Sequence, residues 1–181
     1  MLPQNITENK TYRSIEMSKT MENLMAAFAG ESQANRKYLA FAKQAEKEGH
    51  HQVARLFRAA ADAETIHAHG HLRNAGKIGT TAENLKAAIE GETYEFEKMY
   101  PVMIEEAEAE GEKVAARYFG FANKAEEVHA NLYKKMLAAL ESPEEVDYYN
   151  CSVCGYTHEG PFDGDKCPIC GAASKAFYKV D

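Results

Sequence analysis

Apolar side chains between about Thr20 and Glu141 recur with the 3.6-residue period of amphipathic helices. The segment is rich in Ala, Glu, Lys, Leu and Met and contains a single proline. Two short turns and one longer connection divide it, which predicts an antiparallel four-helix bundle. The predicted helices cover residues 20–48, 50–74, 82–110, and a last stretch that ends before Pro143.

Local signals at the predicted helix ends support this division. Gly49, Gly76 and Gly111 each follow a predicted helix, where glycine readily adopts the left-handed conformation that closes it. Thr80 and Glu83 have capping-box spacing ahead of the third helix.

Every predicted apolar stripe also contains acidic residues, which is unusual for a helix face that is to be buried. A buried carboxylate costs several kcal/mol unless something neutralises it. No Lys or Arg is placed to do so, since Arg55 and Arg117 suit only an outer position. The pattern therefore predicts bound cations beside five glutamates: Glu31, Glu64, Glu92, Glu95 and Glu126.

An internal repeat relates the two halves of the helical segment. Residues 46–69 align without gaps on residues 108–131, and Gly30-Glu31 aligns with Gly91-Glu92. Such a repeat predicts two helix pairs about a pseudo-twofold axis, with two ligand sets for two metals. The matched pairs include Arg55 with Arg117, Phe57 with Phe119, Glu64 with Glu126, His67 with His129, and Tyr38 with Tyr100.

The repeat has one irregularity, a single extra residue between Glu92 and Tyr100. It lies next to Glu95, whose counterpart in the first half is Ala34. A helix commonly absorbs one extra residue as a π-bulge, often at a functional site. Pro101 is a second possible cause of distortion in this helix.

The spacing E-x-x-H occurs twice, at Glu64/His67 and at Glu126/His129, and places each pair on one helical face. One glutamate from each of two helices, plus E-x-x-H from each of the other two, is the ligand pattern of di-iron carboxylate bundles. Oxygen and nitrogen ligands suit iron or manganese. A single E-x-x-H also occurs on solvated helices, but the repetition after Gly-Glu favours metal ligands. Two tyrosines, each about two turns from these acids, are interpreted as core residues whose hydroxyl groups can bond a ligand carboxylate: Tyr38 and Tyr100.

From Ser142 onward the composition changes to Gly, Pro, Cys and Tyr, which predicts a domain boundary. The predicted parts are an N-terminal arm at 1–19, the bundle at 20–145 and a small domain at 146–181. All four cysteines lie in the last part, as two C-x-x-C pairs: Cys151 with Cys154, and Cys167 with Cys170. Four thiolates bind iron or zinc well, and the spacing leaves both metals open.

Composition and charge exclude several classes of protein. The formal net charge is −7, without a block of Lys or Arg, which argues against nucleic-acid binding. No stretch approaches ~20 apolar residues, so no membrane span is expected. The first residues lack the apolar segment of a signal peptide, and the cysteines suit a reducing compartment, so we expect a cytoplasmic location.

The order Gly-Glu, E-x-x-H, Gly-Glu, E-x-x-H, C-x-x-C-G-Y and C-P-x-C-G resembles the rubrerythrin family over about residues 20–181. The resemblance implies a mainly α, ferritin-like bundle with a carboxylate-bridged di-iron site, joined to a rubredoxin-like domain with one tetrathiolate iron. It also implies that Glu64 and Glu126 bridge the two irons, and that Glu95 exchanges with His67 at one iron as a redox toggle. The implied di-iron ligands are Glu31, Glu64, His67, Glu92, Glu95, Glu126 and His129.

The family resemblance implies reduction of hydrogen peroxide to water in defence against oxidative stress. Two adjacent Fe(II) ions supply both electrons at once, and the tetrathiolate iron returns electrons one at a time. The electrons would come from an external donor such as a rubredoxin or an NAD(P)H-dependent reductase. The alternatives are a ferroxidase that handles iron without peroxide turnover, and a metal-binding stress protein with zinc in the tetrathiolate site.

Distance along the chain predicts a head-to-tail homodimer. Glu141 follows His129 by twelve residues, or ~18 Å of helix. We therefore expect the two kinds of metal centre to lie more than ~20 Å apart in one chain unless the connector folds back. An antiparallel partner would then present its tetrathiolate domain to this bundle, and twofold pairs are the commonest oligomers.

Overall fold

The computed structural model describes residues 18–180 of the chain. These residues form two compact units, of which one ends at Ile78 and the other begins at Gly79. The N-terminal arm predicted at 1–19 lies almost wholly outside the described residues, and the domain boundary after residue 145 stays a prediction. Within residues 18–180, no helix is both long and apolar enough to cross a membrane.

The first unit is a hairpin of two long helices, α1 (Lys19–Lys47) and α2 (His51–Asn74). The turn between them contains Gly49 with φ of 83°, as the sequence predicts. Asn35 is buried between the helices, and its Nδ2 donates to the backbone oxygen of Ala61 at 2.7 Å and to Oγ1 of Thr65 at 2.8 Å. This pair of hydrogen bonds fixes the register of the two helices next to Glu64.

The second unit begins with a long, interrupted helix that pairs with another. Its parts are α3 (Thr81–Tyr94), a π-helical segment (Glu95–Met99) and α4 (Tyr100–Ala109), followed by α5 (Lys113–Ala138). Both sides of the capping box at Thr80 and Glu83 are formed. The π segment confirms the bulge predicted from the extra residue in the repeat.

The chain ends in a small antiparallel sheet within the second unit. Strands β1 (Tyr148–Cys151), β2 (Thr157–Glu159) and β3 (Phe177–Lys179) pair in the order β2-β1-β3. The buried side chains of Cys151, Cys154 and Cys167 form its core, and Phe121 of α5 packs against them. Long helices followed by a small cysteine-rich sheet confirm the predicted fold class.

Alanine fills the space between the helices of each hairpin. Among the described residues, the fully buried apolar side chains of the helices and of the turn after α2 are all alanines. Small side chains let two helices approach closely, and the larger apolar side chains are left on the outer faces. The buried alanines are Ala42, Ala45, Ala54, Ala61, Ala68 and Ala75 in the first unit, and Ala107, Ala116, Ala125 and Ala130 in the second.

The connector after α5 folds back, so the distance predicted between the metal centres of one chain is wrong. α5 ends at Ala138, and the amide of Ser142 then donates to the oxygen of Ala139 in a turn. The sheet returns along α5, where Lys135 Nζ lies 2.7 Å from a carboxylate oxygen of Glu159. Extrapolating α5 in a straight line missed this return, because it depends on contacts far apart in sequence.

Candidate metal centres

The first unit brings together Glu31 of α1 with Glu64 and His67 of α2. One potential ligand atom from each lies within 4.8 Å of the other two. Nδ1 of His67 is 3.0 Å from Oε2 of Glu64. A hydrogen bond with Glu64, followed by burial, raises the pKa of Glu31, and the same bond together with His67 lowers the pKa of Glu64. The contact between the two carboxylates therefore favours protonation of Glu31 over that of Glu64 in the absence of a cation.

The second unit repeats this arrangement with Glu92 of α3 and with Glu126 and His129 of α5. Their potential ligand atoms again lie within 4.8 Å of one another. Nδ1 of His129 is 2.7 Å from Glu126 and 3.7 Å from Glu92. Burial and the neighbouring Glu126 raise the pKa of Glu92 to about 7, and the hydrogen bond with Glu126 raises the pKa of His129.

Both carboxylate–histidine clusters fit a metal ion. Oε2 of Glu92 is buried without a hydrogen-bond partner in this structure, although buried carboxylate oxygens are normally satisfied. A cation next to it would remove both this deficit and the repulsion between Glu92 and Glu126. Two carboxylates and an imidazole in each cluster are hard and intermediate donors, which suit iron or manganese.

The hydrogen bonds of His129 determine which ring nitrogen is available to a metal. Nε2 lies 3.1 Å from the backbone oxygen of Gly155 and 2.9 Å from Oγ1 of Thr157. A carbonyl oxygen only accepts, and the Thr157 hydroxyl donates to Oδ1 of Asn150 at 2.9 Å. Nε2 therefore carries a hydrogen, and Nδ1, on the carboxylate side, is the nitrogen left for a metal.

Glu95 lies next to the second cluster rather than within it. It is the first residue of the π segment and lines the same cleft as Glu92, Glu126 and His129. Burial and then the charge of Glu126 raise the pKa of Glu95. The structure therefore places Glu95 at the site's edge, and its role as a ligand stays a proposal.

The two tyrosines singled out by the repeat occupy equivalent places. The ring centroids of Tyr38 and Phe57 are 6.1 Å apart, and those of Tyr100 and Phe119 are 6.2 Å apart. Burial, followed by the charge of Glu126, raises the pKa of Tyr100. A hydrogen bond from either tyrosine to a ligand carboxylate stays a prediction.

Tyr133 is a site residue that sequence reasoning did not single out. Burial and the charges of Glu92 and Glu126 raise its pKa. Its helical position four residues after His129 was a signal that it shares the face of the cluster. With Leu85, Leu132 and Met136, it forms the apolar wall of a cleft of about 750 Å³ whose acidic part holds the second cluster.

The four cysteines converge as their spacing predicts. Sγ of Cys151 is 3.7 Å from that of Cys170, and Sγ of Cys154 is 3.6 Å from that of Cys167. Tetrahedral metal–sulfur bonds of ~2.3 Å give edges of ~3.8 Å, so the thiolates fit one metal ion.

In the first knuckle, formed by Cys151 and Cys154, backbone amides favour the thiolate form of Cys151, whereas burial raises the pKa of Cys154. Burial alone raises the pKa of Cys151, but hydrogen bonds from the amides of Val153 and Cys154 outweigh it, and the pKa falls. Gly155 and Gly171, with φ of 80° and 75°, close the two knuckles, as the sequence predicts.

Paired carboxylate–histidine clusters on long helices, with a tetrathiolate domain after them, define the class of di-metal carboxylate proteins that carry a rubredoxin-like centre. The family model for rubrerythrin matches residues 22–137, and the model for the rubredoxin-like domain of rubrerythrin matches residues 149–178. The chain belongs to the rubrerythrin family.

Individual relatives cover most of the chain. It is 39% identical over 168 residues to nigerythrin of Nitratidesulfovibrio vulgaris, an alignment covering 85% of this chain and 83% of the relative. It is also 39% identical over 186 residues to rubrerythrin of Porphyromonas gingivalis, with 92% of each chain covered. A solved structure of nigerythrin in its partially reduced state matches with a TM-score of 0.54 and 35% identity, covering 94% of this chain and 91% of that one.

Proposed function

We propose that this protein is a cytoplasmic peroxidase that reduces hydrogen peroxide to water in defence against oxidative stress. The observation that carries the proposal is the contact between its two kinds of metal centre. Nε2 of His129, in a carboxylate cluster, hydrogen-bonds to the backbone oxygen of Gly155, the residue after Cys154. A short covalent and hydrogen-bonded route between the centres suits a protein that delivers electrons to its own reactive site.

The proposed reactive site combines the clusters of both units around two iron ions. Glu64 and Glu126 would bind both irons, and Glu95 and His67 would be alternative ligands of one iron. The four cysteines would hold one further iron. The seven proposed di-iron ligands are Glu31, Glu64, His67, Glu92, Glu95, Glu126 and His129.

The reaction consumes one hydrogen peroxide, two electrons and two protons, and yields two waters. When bound, two ferrous ions supply both electrons together. The protein supplies and positions the protons. Glu92, with a pKa of about 7 in the metal-free site, shows how strongly this environment favours a protonated carboxyl group. Tyr100 and Tyr133 are the neighbouring hydroxyl groups, and burial keeps both protonated at neutral pH.

The tetrathiolate centre would receive electrons from outside the protein, from a rubredoxin or an NAD(P)H-dependent reductase. Ferroxidase activity without peroxide turnover is the second candidate, because the same carboxylates also bind and oxidise Fe(II). Such an enzyme needs no tetrathiolate centre beside the di-iron site. The bond from His129 to the cysteine knuckle therefore favours the peroxidase.

A peroxide-oxidation experiment tests the proposal. The iron-loaded protein is reduced and mixed with one equivalent of hydrogen peroxide per di-iron site, and the absorption of the ferric tetrathiolate centre is followed. We expect its red colour to return on the time scale of peroxide loss. The variant Cys151→Ser/Cys154→Ser should consume one equivalent of hydrogen peroxide per di-iron site. Its turnover should then stop even with an external donor present, because the tetrathiolate centre is missing. Slow loss of peroxide, with rapid oxidation of added Fe(II), would support the ferroxidase instead. A colourless protein that contains zinc would support the stress protein without turnover.

A further inference from the structure

Each unit of the chain carries only part of the proposed di-iron site. Glu31, Glu64 and His67 belong to the first unit, and the counterparts of all three belong to the second. A carboxylate-bridged pair of metals requires both sets. The side chain of His67 is 56% exposed, so the ligand set of the first unit is open on one side.

The helix faces of the first unit lack a second layer. Only alanines and Asn35 are fully buried in α1 and α2, whereas Leu56 and Ile66 are each 68% exposed. Stable domains pack two layers of secondary structure around a core of larger apolar side chains. The α1–α2 hairpin therefore requires another helical layer to cover its exposed apolar side chains.

The connection between α2 and α3 decides which chain supplies that layer. A ferritin-like bundle has one long crossover, which carries the chain from one end of the bundle to the other. The turns at residues 48–50 and 110–112 each join the helices of one hairpin. The crossover would therefore have to be residues 75–80, between α2 and α3.

This connection is too short to run the length of the bundle. Asn74 lies ten residues after Glu64, about 15 Å along α2, and Glu92 lies eleven residues after Thr81, about 16 Å along α3. If Glu64 and Glu92 bind the same metals, a crossover must span the sum, about 31 Å along the axis. Seven fully extended Cα–Cα steps from Asn74 to Thr81 reach at most about 25 Å.

Both ends of the connection are also folded, which shortens its reach further. The amides of Gly76 and Lys77 donate to the oxygens of Arg73 and Leu72, so these residues close α2. At the other end, Gly79 exchanges two hydrogen bonds with the side chain of Asn84, and the adjacent capping box opens α3. Of residues 75–80, only one belongs to neither cap.

We propose that a second copy of the chain supplies the α1–α2 hairpin that completes the metal site on α3 and α5. Two copies exchange hairpins about a twofold axis, and each dimer contains two composite sites. This inference rests on the proposed di-iron site and adds that no site draws all its ligands from one chain.

The test mixes two variants that are each disabled in a different hairpin. One carries Glu31→Ala/Glu64→Ala, and the other carries Glu92→Ala/Glu126→Ala. Equal amounts are unfolded, refolded together and loaded with Fe(II). Metal per chain is then measured after desalting, and tetrathiolate iron is subtracted through its visible absorption. Native mass spectrometry counts the mixed dimers, and circular dichroism verifies the helices.

Hairpin exchange gives each mixed dimer one intact site, so about a quarter of the wild-type di-iron content should return on random pairing. The matched control mixes Glu31→Ala/Glu64→Ala with Glu64→Ala/His67→Ala, which share a disabled hairpin and should recover none.

Verified mixed dimers without metal recovery, beside a wild-type protein that binds two irons per site, would overturn the exchange and leave the di-iron proposal intact. That outcome would indicate a bundle closed within one chain by a short α2–α3 turn. A wild-type protein without bundle iron would instead contradict the proposed function and, with it, the exchange.

Discussion

Nε2 of His129 lies 3.1 Å from the backbone oxygen of Gly155 and, at 2.9 Å, also contacts Oγ1 of Thr157. These contacts join α5 to the cysteine knuckle of the same chain. They hold the imidazole with Nδ1 towards the carboxylates, and they connect it to the residue after Cys154. The histidine thus has an orienting role and a connecting role, which different substitutions can separate.

Thr157→Val should slow electron delivery without removing metal. The substitution removes one hydrogen-bond acceptor from Nε2–H, and the Gly155 oxygen remains. One lost hydrogen bond of about 1 kcal/mol corresponds to at most about a fivefold slower step. The measurement is the stopped-flow rate at which peroxide reoxidises the reduced tetrathiolate iron. Thr157→Ser keeps the hydroxyl group and should react at the wild-type rate, and equal rates in all three proteins would show that this contact is not used.

Glu95→Ala should lower peroxide turnover while the fold and both E-x-x-H pairs persist. Glu95 has no acidic counterpart in the first half of the repeat, where Ala34 stands. Without this carboxylate, the exchanging iron loses its ligand in the oxidised state, and we expect at least about a tenfold loss of kcat, or about 1.4 kcal/mol. Glu97→Ala, at an exposed position of the same π segment, is the matched control. Wild-type activity and iron content in Glu95→Ala would contradict the asymmetric-ligand proposal.

Removal of metal should lower the melting temperature, and the difference should narrow towards pH of about 5.5. In the metal-free site, the pKa of Glu92 rises to about 7 from 4.5, and that of His129 rises above 6.5. Both groups bind protons more tightly in the folded state, so they stabilise it at low pH and lose that effect as pH rises through their folded pKa values. The lowered pKa values of Glu64 and Glu126 act in the opposite direction, but only below about 4.5.

Calorimetry of chelated and iron-loaded protein at pH of about 5.5 and 7.5 measures both effects. Chelated protein should melt higher at the lower pH, whereas protons compete with iron in the loaded protein. Glu92→Gln removes the main titrating carboxyl group and should flatten the pH dependence of the chelated protein. An unchanged melting temperature after verified removal of metal would mean that the carboxylates do not repel one another in the folded state.

Much of the fold and of the candidate site follows from local patterns in the sequence. The residue count from Glu92 to Tyr100 placed the π segment, because an extra residue within a helix has few other outcomes. Spacing along single helices also predicted that each E-x-x-H pair shares one face. The two C-x-x-C pairs, each followed by a glycine, predicted that the four thiols converge. These features depend on residues within a turn or two of one another.

What the sequence did not reveal depends on contacts between distant residues. His129 and Gly155 are separated by a helix end, a turn and a strand, and no periodic pattern crosses such a connection. The return of the chain involves partners far apart in sequence, such as Lys135 and Glu159, which carry no distinctive motif. Tyr133 was missed for a related reason, since its place on the apolar stripe is equally typical of an ordinary core residue.

Electron transfer should run within the unit that contains α5 and the cysteines, in contrast to transfer between subunits. The test refolds Cys151→Ser/Cys154→Ser with Glu92→Ala/Glu126→Ala and measures peroxidase activity with an external donor. In a mixed dimer, the one intact α3–α5 cluster belongs to the chain without thiolates. Transfer within this unit therefore predicts no recovery, whereas head-to-tail delivery from the partner predicts activity at that site.

The companion mixture replaces the second variant with Glu31→Ala/Glu64→Ala, whose α3–α5 cluster and thiolates are both intact. If hairpins are exchanged, this mixture should regain activity, because the first variant supplies a complete α1–α2 hairpin. Recovery in the first mixture would restore the head-to-tail arrangement and show that the bond from His129 to Gly155 is not the route.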